Sequence, residues 1–213
     1  MCENILCIWE STAESDGAIR VIPDGCRDFI MMSTSGEELD CFVSPLFDWT
    51  HRLTVKADTR YVGFRMKPGA QIDENELLAS VPTDAMDVKD VTFLLNEFSQ
   101  QKEAVEEALN CLSSDIQTVA QAAKEIGVSQ RTLQRLIVKE SDRSPVYWMM
   151  LARARKAARA LFNPISLVDV AEQFGYSDQS HMAREMKRWF GVSPSVLRNS
   201  PDIHFQLNET GYG

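Results

Sequence analysis

The 213-residue chain is short of the features that mark enzymes, membrane proteins and secreted proteins. Its three histidines, His51, His181 and His204, are scattered. No G-x-S-x-G, H-E-x-x-H or phosphate-loop pattern occurs, so no catalytic residue is assigned and an enzyme is not expected. No apolar run is long enough to cross a bilayer. The opening MCENILCIWEST has no basic stretch followed by an apolar one, which argues against a secretion signal and for a cytoplasmic protein. The five cysteines, Cys2, Cys7, Cys26, Cys41 and Cys111, are odd in number and include no C-x-x-C pair. They read as free thiols packed as small apolar groups. A redox or metal sensor built on Cys2, Cys7, Cys26 and Cys41 is the sharper alternative, but zinc-ligand spacing is missing. Neither a metal nor a cofactor is expected.

Positive charge is also lacking, but only in one half. The formal net charge is −9. Residues 1–112 carry 9 Lys/Arg against 21 Asp/Glu, a net of −12, whereas residues 113–213 carry 13 against 10, a net of +3. An acidic module joined to one suited to a polyanion produces this asymmetry.

What the chain does have is a stretch that repeats itself. TVAQAAKEIGVSQRTLQRLIVKESDRSP is followed, after a connecting segment, by SLVDVAEQFGYSDQSHMAREMKRWFGVSP. Superposed, Val119, Ala123, Gly127 and Ser129 fall on Leu167, Ala171, Gly175 and Ser177. After one inserted residue, Leu133, Arg135, Ile137 and Pro145 fall on Met182, Arg184, Met186 and Pro194. Self-similarity in fixed register means one supersecondary unit built twice. In each copy a short periodic segment ends at Gly and a capped basic segment follows, the pattern of a helix-turn-helix.

Thr118-x-x-Gln121 and Ser166-x-x-Asp169 read as capping boxes. Ser129 caps one second helix and Ser177 or Asp178 the other. Ser144-Pro145 and Ser193-Pro194 start the helices after each unit. The connecting helix is expected over about 145–162, with Trp148, Met149, Leu151, Ala152, Ala158 and Leu161 in the core. Its Arg153, Arg155, Lys156 and Arg159 are expected on a solvated face, with phosphate contact as the alternative.

In the second helix of the first unit, Leu133, Leu136 and Ile137 share one face and Arg131, Gln134, Arg135 and Val138 the other. In the second unit, Met182, Met186 and Trp189 oppose Ser180, Arg184, Lys187 and Arg188. Arg pairs in bidentate fashion with guanine and Gln with adenine, so these faces suit base edges in a major groove. Lys139, Lys187 and Arg188 suit phosphates, which fix register without reading sequence. The first helix is expected to discriminate sequence more, and the second to anchor more.

Upstream, runs such as AIRVI, DFIMM, LDCFV, RLTV and RYVGFRM are separated by Gly, Pro, Asp and Ser, which predicts a small antiparallel β module from Ile5 to about Met66. Helical spacing then places Val88, Val91, Leu94, Leu95 and Phe98 on one helix and Val105, Ala108, Leu109 and Leu112 on the next. The first of these helices packs on its own module or pairs with a second subunit. The expected fold is therefore α+β in two domains: residues 1–100 a β-rich regulatory domain ending in a helix, and 101–200 an all-α double helix-turn-helix domain. Residues 201–213 read as a loosely ordered polar tail.

The pattern SQRTLQR…SP…ARARKAARAL…SLVDVAEQFGYSDQSHMAREMKRWFGVSP resembles the DNA-binding domain of the AraC/XylS family of bacterial transcription regulators, across about residues 101–200. The segments VIPDGCRDFIM and YVGFRMKPGA resemble the short β domains that precede it in part of that family. The resemblance implies that the third and sixth helices of the domain enter the major groove. By position it assigns base reading to Arg131, Gln134, Arg135, Gln179, Ser180 and Arg184. Met182, Met186 and Ile137 stand where Phe is common, substitutions of similar volume that leave DNA binding intact. The resemblance further implies a small-molecule effector, or homodimer formation, through the front module; Cys26, Asp28, Arg65 and Trp49 are expected to be turn or core residues, with lining of an effector pocket as the alternative. The alternative is a co-regulator whose acidic front module docks another protein.

Overall fold

The computed structural model describes residues 3–82 and 87–213, so Cys2 lies outside the described residues. It has an N-terminal antiparallel β module followed by a helical domain. Strands β1 (Ile5–Ala13), β3 (Asp28–Thr34), β4 (Asp40–Val43) and β6 (Thr59–Met66) form one sheet in the order β1-β6-β3-β4. Strands β2 (Gly17–Val21) and β5 (His51–Val55) pair as a separate ribbon. The two central strands of the larger sheet point Phe29, Met31, Val62, Phe64 and Met66 into the core. Trp9 of β1 lies opposite Gly63 of β6, and a Cβ at residue 63 would stand 2.0 Å from the indole ring. Glycine is required there by close approach rather than by backbone conformation.

Helices α1 (Glu74–Ala79) and α2 (Val88–Phe98) cover this core with Leu77, Val91 and Leu95. The second helix thus packs on its own module, leaving Val88 and Phe93 exposed. Two-residue strands β7 (Gln71–Ile72) and β8 (Ser99–Gln100) pair and tie the end of α2 back to the module.

The helical domain comprises α3 (Glu103–Ser113), α4 (Val119–Glu125), α5 (Gln130–Ser141), α6 (Pro145–Ala160), α7 (Leu167–Gln173), α8 (Gln179–Phe190), α9 (Pro194–Leu197) and α10 (Pro201–Asn208). Its core gathers Val105, Leu109, Leu133, Ile137, Trp148 and Leu151 with Met182, Met186, Trp189 and Phe190, and takes in Ile22 from the β module. Of the two expected capping boxes, the Thr118–Gln121 box is complete. Ser166 accepts from the Asp169 N–H, with no return bond from the Asp169 side chain, which is one methylene shorter than Glu.

Two expectations are corrected. The tail is ordered: residues 201–208 are helical, and Ile203, Leu207 and Tyr212 are buried. Tyr212 donates its backbone N–H to Asp24 (2.8 Å) and its hydroxyl to the Leu109 carbonyl (2.9 Å), and its ring stands edge-on to Trp148 at 4.8 Å. The cations of α6 also do not form a solvated face. Arg155 is fully buried, donates to the Pro23 carbonyl at 3.1 Å, and has its pKa lowered by burial to about 10, so it stays charged. Arg159 donates to the carbonyls of Leu207 (2.8 Å) and Gly213. Lys156 donates to the Ser113 carbonyl (2.6 Å), and Arg153 lies 4.5 Å over the Tyr176 ring. Arg155, Lys156 and Arg159 thus donate to carbonyls of segments packed against α6, while Arg153 stacks on an aromatic ring.

Candidate nucleic-acid interface

Both units are framed by the same local chemistry. Each first helix stops before a glycine in the left-handed region, Gly127 (φ 72) and Gly175 (φ 69), where a side chain would strain the backbone. Each second helix then begins on a side-chain cap. Ser129 accepts from the Thr132 N–H (3.1 Å), and Asp178 from the His181 N–H (2.7 Å). Backbone N–H donation from His181 holds the Asp178 carboxyl below its ordinary value. With Asp178 as the cap, α8 begins at Gln179.

The frame fixes which side chains face outward. On α5, Leu133 and Ile137 are buried while Arg131, Gln134, Arg135 and Lys139 are exposed. On α8, Met182, Met186, Trp189 and Phe190 are buried while Gln179, Ser180, Arg184, Lys187 and Arg188 are exposed. Among the described residues, Arg188 is the member of this set held internally: it stands 3.8 Å from Glu185 and 5.2 Å over the Trp189 ring. The side chains of the others are in no ion pair or hydrogen bond within the described residues. Each helix thus carries guanidinium and amide donors with their bonding capacity turned to solvent.

The helix-turn-helix domain model matches residues 122–200. The chain is 36% identical over 89 residues to the probable thc operon regulatory protein of Rhodococcus erythropolis, covering 39% of this chain and 27% of that protein. It is 31% identical over 123 residues to the transcriptional activator NphR of a Rhodococcus species, covering 57% of this chain and 33% of that one. Residues 122–200 are an AraC-type helix-turn-helix domain. A solved transcriptional regulator with an AraC-type DNA-binding domain, from Chromobacterium violaceum, superposes with a TM-score of 0.43 at 22% identity, over 50% of this chain and 94% of that one. The chain spans about a third or less of the length of these curated relatives.

Beside the AraC-type domain lies a cleft of about 1060 Å³ between the β module and the corner joining α5 to α6. Arg27, Leu46, Lys67, Glu74, Arg143 and Trp148 are among its walls. The residues that sequence suggested as effector contacts are not among them. Asp28 pairs with Arg65 at 3.2 Å, and Cys26 is buried, with its thiol pushed well above its ordinary value by burial. Trp49 is 56% exposed. The cleft could not be found by sequence reasoning, because its walls come from residues as far apart as Gly25 and Trp148.

Proposed function

We propose that the chain is a non-enzymatic, sequence-specific DNA-binding transcription regulator of the bacterial cytoplasm. In this reading α5 and α8 enter successive major-groove segments of double-stranded DNA. The observation that carries the reading is the pair of similarly framed helices whose exposed Arg131, Gln134, Arg135, Gln179 and Arg184 side chains have no ion-pair or hydrogen-bond partner among the described residues. Arg131, Gln134 and Arg135 on α5, with Gln179, Ser180 and Arg184 on α8, read base edges. Lys139, Lys187 and Arg188 meet phosphates. The internal contacts of Arg188 support an anchoring role rather than a reading one. Residues 1–100 act as the regulatory domain and 101–200 as the DNA-binding domain, with the remaining tail packed against α6.

The cleft between the modules supports modulation by a small-molecule effector, because an occupant would touch both the β module and the end of α5. The alternative is a protein partner docking on the acidic front module. No helix among the described residues is long and apolar enough to cross a membrane. In vitro selection of bound DNA with the full chain tests the central reading. Recovered sites should contain two elements about one helical turn apart, roughly 34–36 Å. Binding should weaken steeply with salt, by about −0.9 in log–log slope per phosphate neutralised. A flat salt response would refute groove binding. A thermal-shift screen of small molecules, set beside pull-down from extract, separates effector from protein partner.

A further inference from the structure

Reading DNA with two helices demands more than two good helices. The second unit gains from the first only if their separation and rotation match the groove, since linked binding fails where geometry forbids simultaneous engagement. Helix α6 joins the units, and its 16 residues span about 24 Å at 1.5 Å per residue. Yet a second connection runs between them, and it comes from the β module. The segment 46–50, between β4 and β5, contacts Arg143 just beyond the C-terminal cap of α5 and the last turn of α8.

At α5, the helix closes on Asp142 in the left-handed region (φ 53), and Arg143 follows directly. The Arg143 guanidinium donates to both oxygens of Asp48, from Nε at 2.8 Å and Nη2 at 3.1 Å. Such a forked pair fixes orientation as well as distance. Tyr147 adds a hydroxyl bond to the Phe47 carbonyl at 3.2 Å. At α8, Thr50 donates both its backbone N–H (3.0 Å) and its hydroxyl (2.9 Å) to the carbonyl of Trp189. That carbonyl belongs to the last turn of α8, where the helix itself supplies no donor. Thr50 therefore caps α8 from another module. The two anchor points share a wall, because the Tyr147 ring stands edge-on to Trp189 at 5.4 Å.

We infer that Asp48 and Thr50 are positioning residues, and that segment 46–50 is a clasp that sets the spacing of the two DNA-reading helices. The inference rests on the proposed two-helix reading of DNA. It also gives the front module a route of control. Leu46 and Arg143 belong both to the clasp and to the walls of the cleft, so an occupant of the cleft bears on the spacing of the helices.

The test uses the full chain and three duplexes taken from the selected site: the joined site, either half alone, and a joined site lengthened by one base pair. Asp48→Ala combined with Thr50→Val should weaken binding to the joined site about tenfold, with each half-site held within about twofold. The same variant should lose less than the parent does on the lengthened duplex, because its units are free to adjust. Asp48→Glu, which keeps a carboxylate for Arg143, should recover most of the joined-site affinity lost by Asp48→Ala. Arg143→Lys, a smaller change that keeps the charge but not the fork, should give an intermediate loss if the clasp orients the helices. Joined-site binding equal to the parent's would overturn the inference while leaving DNA reading in place. Equal loss on joined and half sites would also overturn it, since the contacts would then serve the fold of a unit and not the spacing. If the parent chain binds no duplex, the functional reading fails and the clasp with it.

Discussion

Where α8 buries Trp189, the equivalent turn of α5 buries Glu140. The two residues occupy matching places in the repeat, and neither is accessible: Trp189 is 0% and Glu140 6% exposed. Trp189 fills its site with apolar surface, packed against Tyr147. Glu140 takes a 2.6 Å ion pair from Lys102, the residue that opens α3. The caps differ in the opposite sense, for the uncharged Ser129 starts α5 and the titratable Asp178 starts α8. One backbone frame thus tolerates an ionic seam in the first unit and an apolar one in the second. What the repeat preserves is the outward face and the turn glycines. What it varies is how each helix is held down.

The comparison can be broken at its strongest point. Trp189→Ala removes a fully buried indole and should cost about 3–5 kcal/mol in denaturant unfolding. If the loss is under about 1 kcal/mol, apolar packing is not what holds α8. Next come the reading faces. Arg135→Ala and Arg184→Ala should each lose about 1–3 kcal/mol on the preferred site with discrimination relaxed locally, whereas Lys187→Ala should weaken all sequences alike and reduce the salt slope by about one. Titration against specific and scrambled duplexes at several salt concentrations checks this. A larger loss of discrimination from Arg135 than from Arg184 would sharpen the contrast between a reading helix and an anchoring one.

Lys102→Ala leaves the Glu140 carboxylate buried without its cation and should destabilise the chain by about 1–3 kcal/mol. Glu140→Met should restore most of that loss in the Lys102→Ala background, because an apolar residue of similar volume needs no partner. The smallest effect is set by pH. The folded-state pKa of Asp178 is lowered, so its capping contribution is present above the ordinary value of 3.8 and is lost as pH falls through the lowered one. Amide exchange should therefore show the first turn of α8 fraying in acid before that of α5, and Asp178→Asn should remove the difference.

Much of this was legible before the structure. The repeat, the turn glycines, the cap at Ser129 and the one at Ser177 or Asp178, and the outward Arg and Gln positions follow from local spacing, because a helix places i, i+3 and i+4 together wherever it sits. Strands β3 and β6 were readable as short apolar runs bounded by turn residues. Contacts that join distant parts of the chain left no such trace. Nothing in the neighbourhood of Asp48 announces a partner 95 positions away at Arg143. The α6 cations had the look of a solvated face because their carbonyl partners lie in other segments, Pro23 and Leu207 among them. The tail offered only Ile203 and Leu207 as a helical pair, too little for a period, and its order comes from what it packs against.

That tail has a practical consequence for anyone dissecting the molecule. The AraC-type domain ends at residue 200, which invites a cut there to isolate the DNA-binding half. Such a fragment would leave Trp148 without the Tyr212 ring and the Arg159 guanidinium without its Leu207 acceptor. A sticky, poorly behaved fragment would then say nothing about whether the helices read DNA. Recombinant boundaries should keep residues 201–213 attached to the helices they cover.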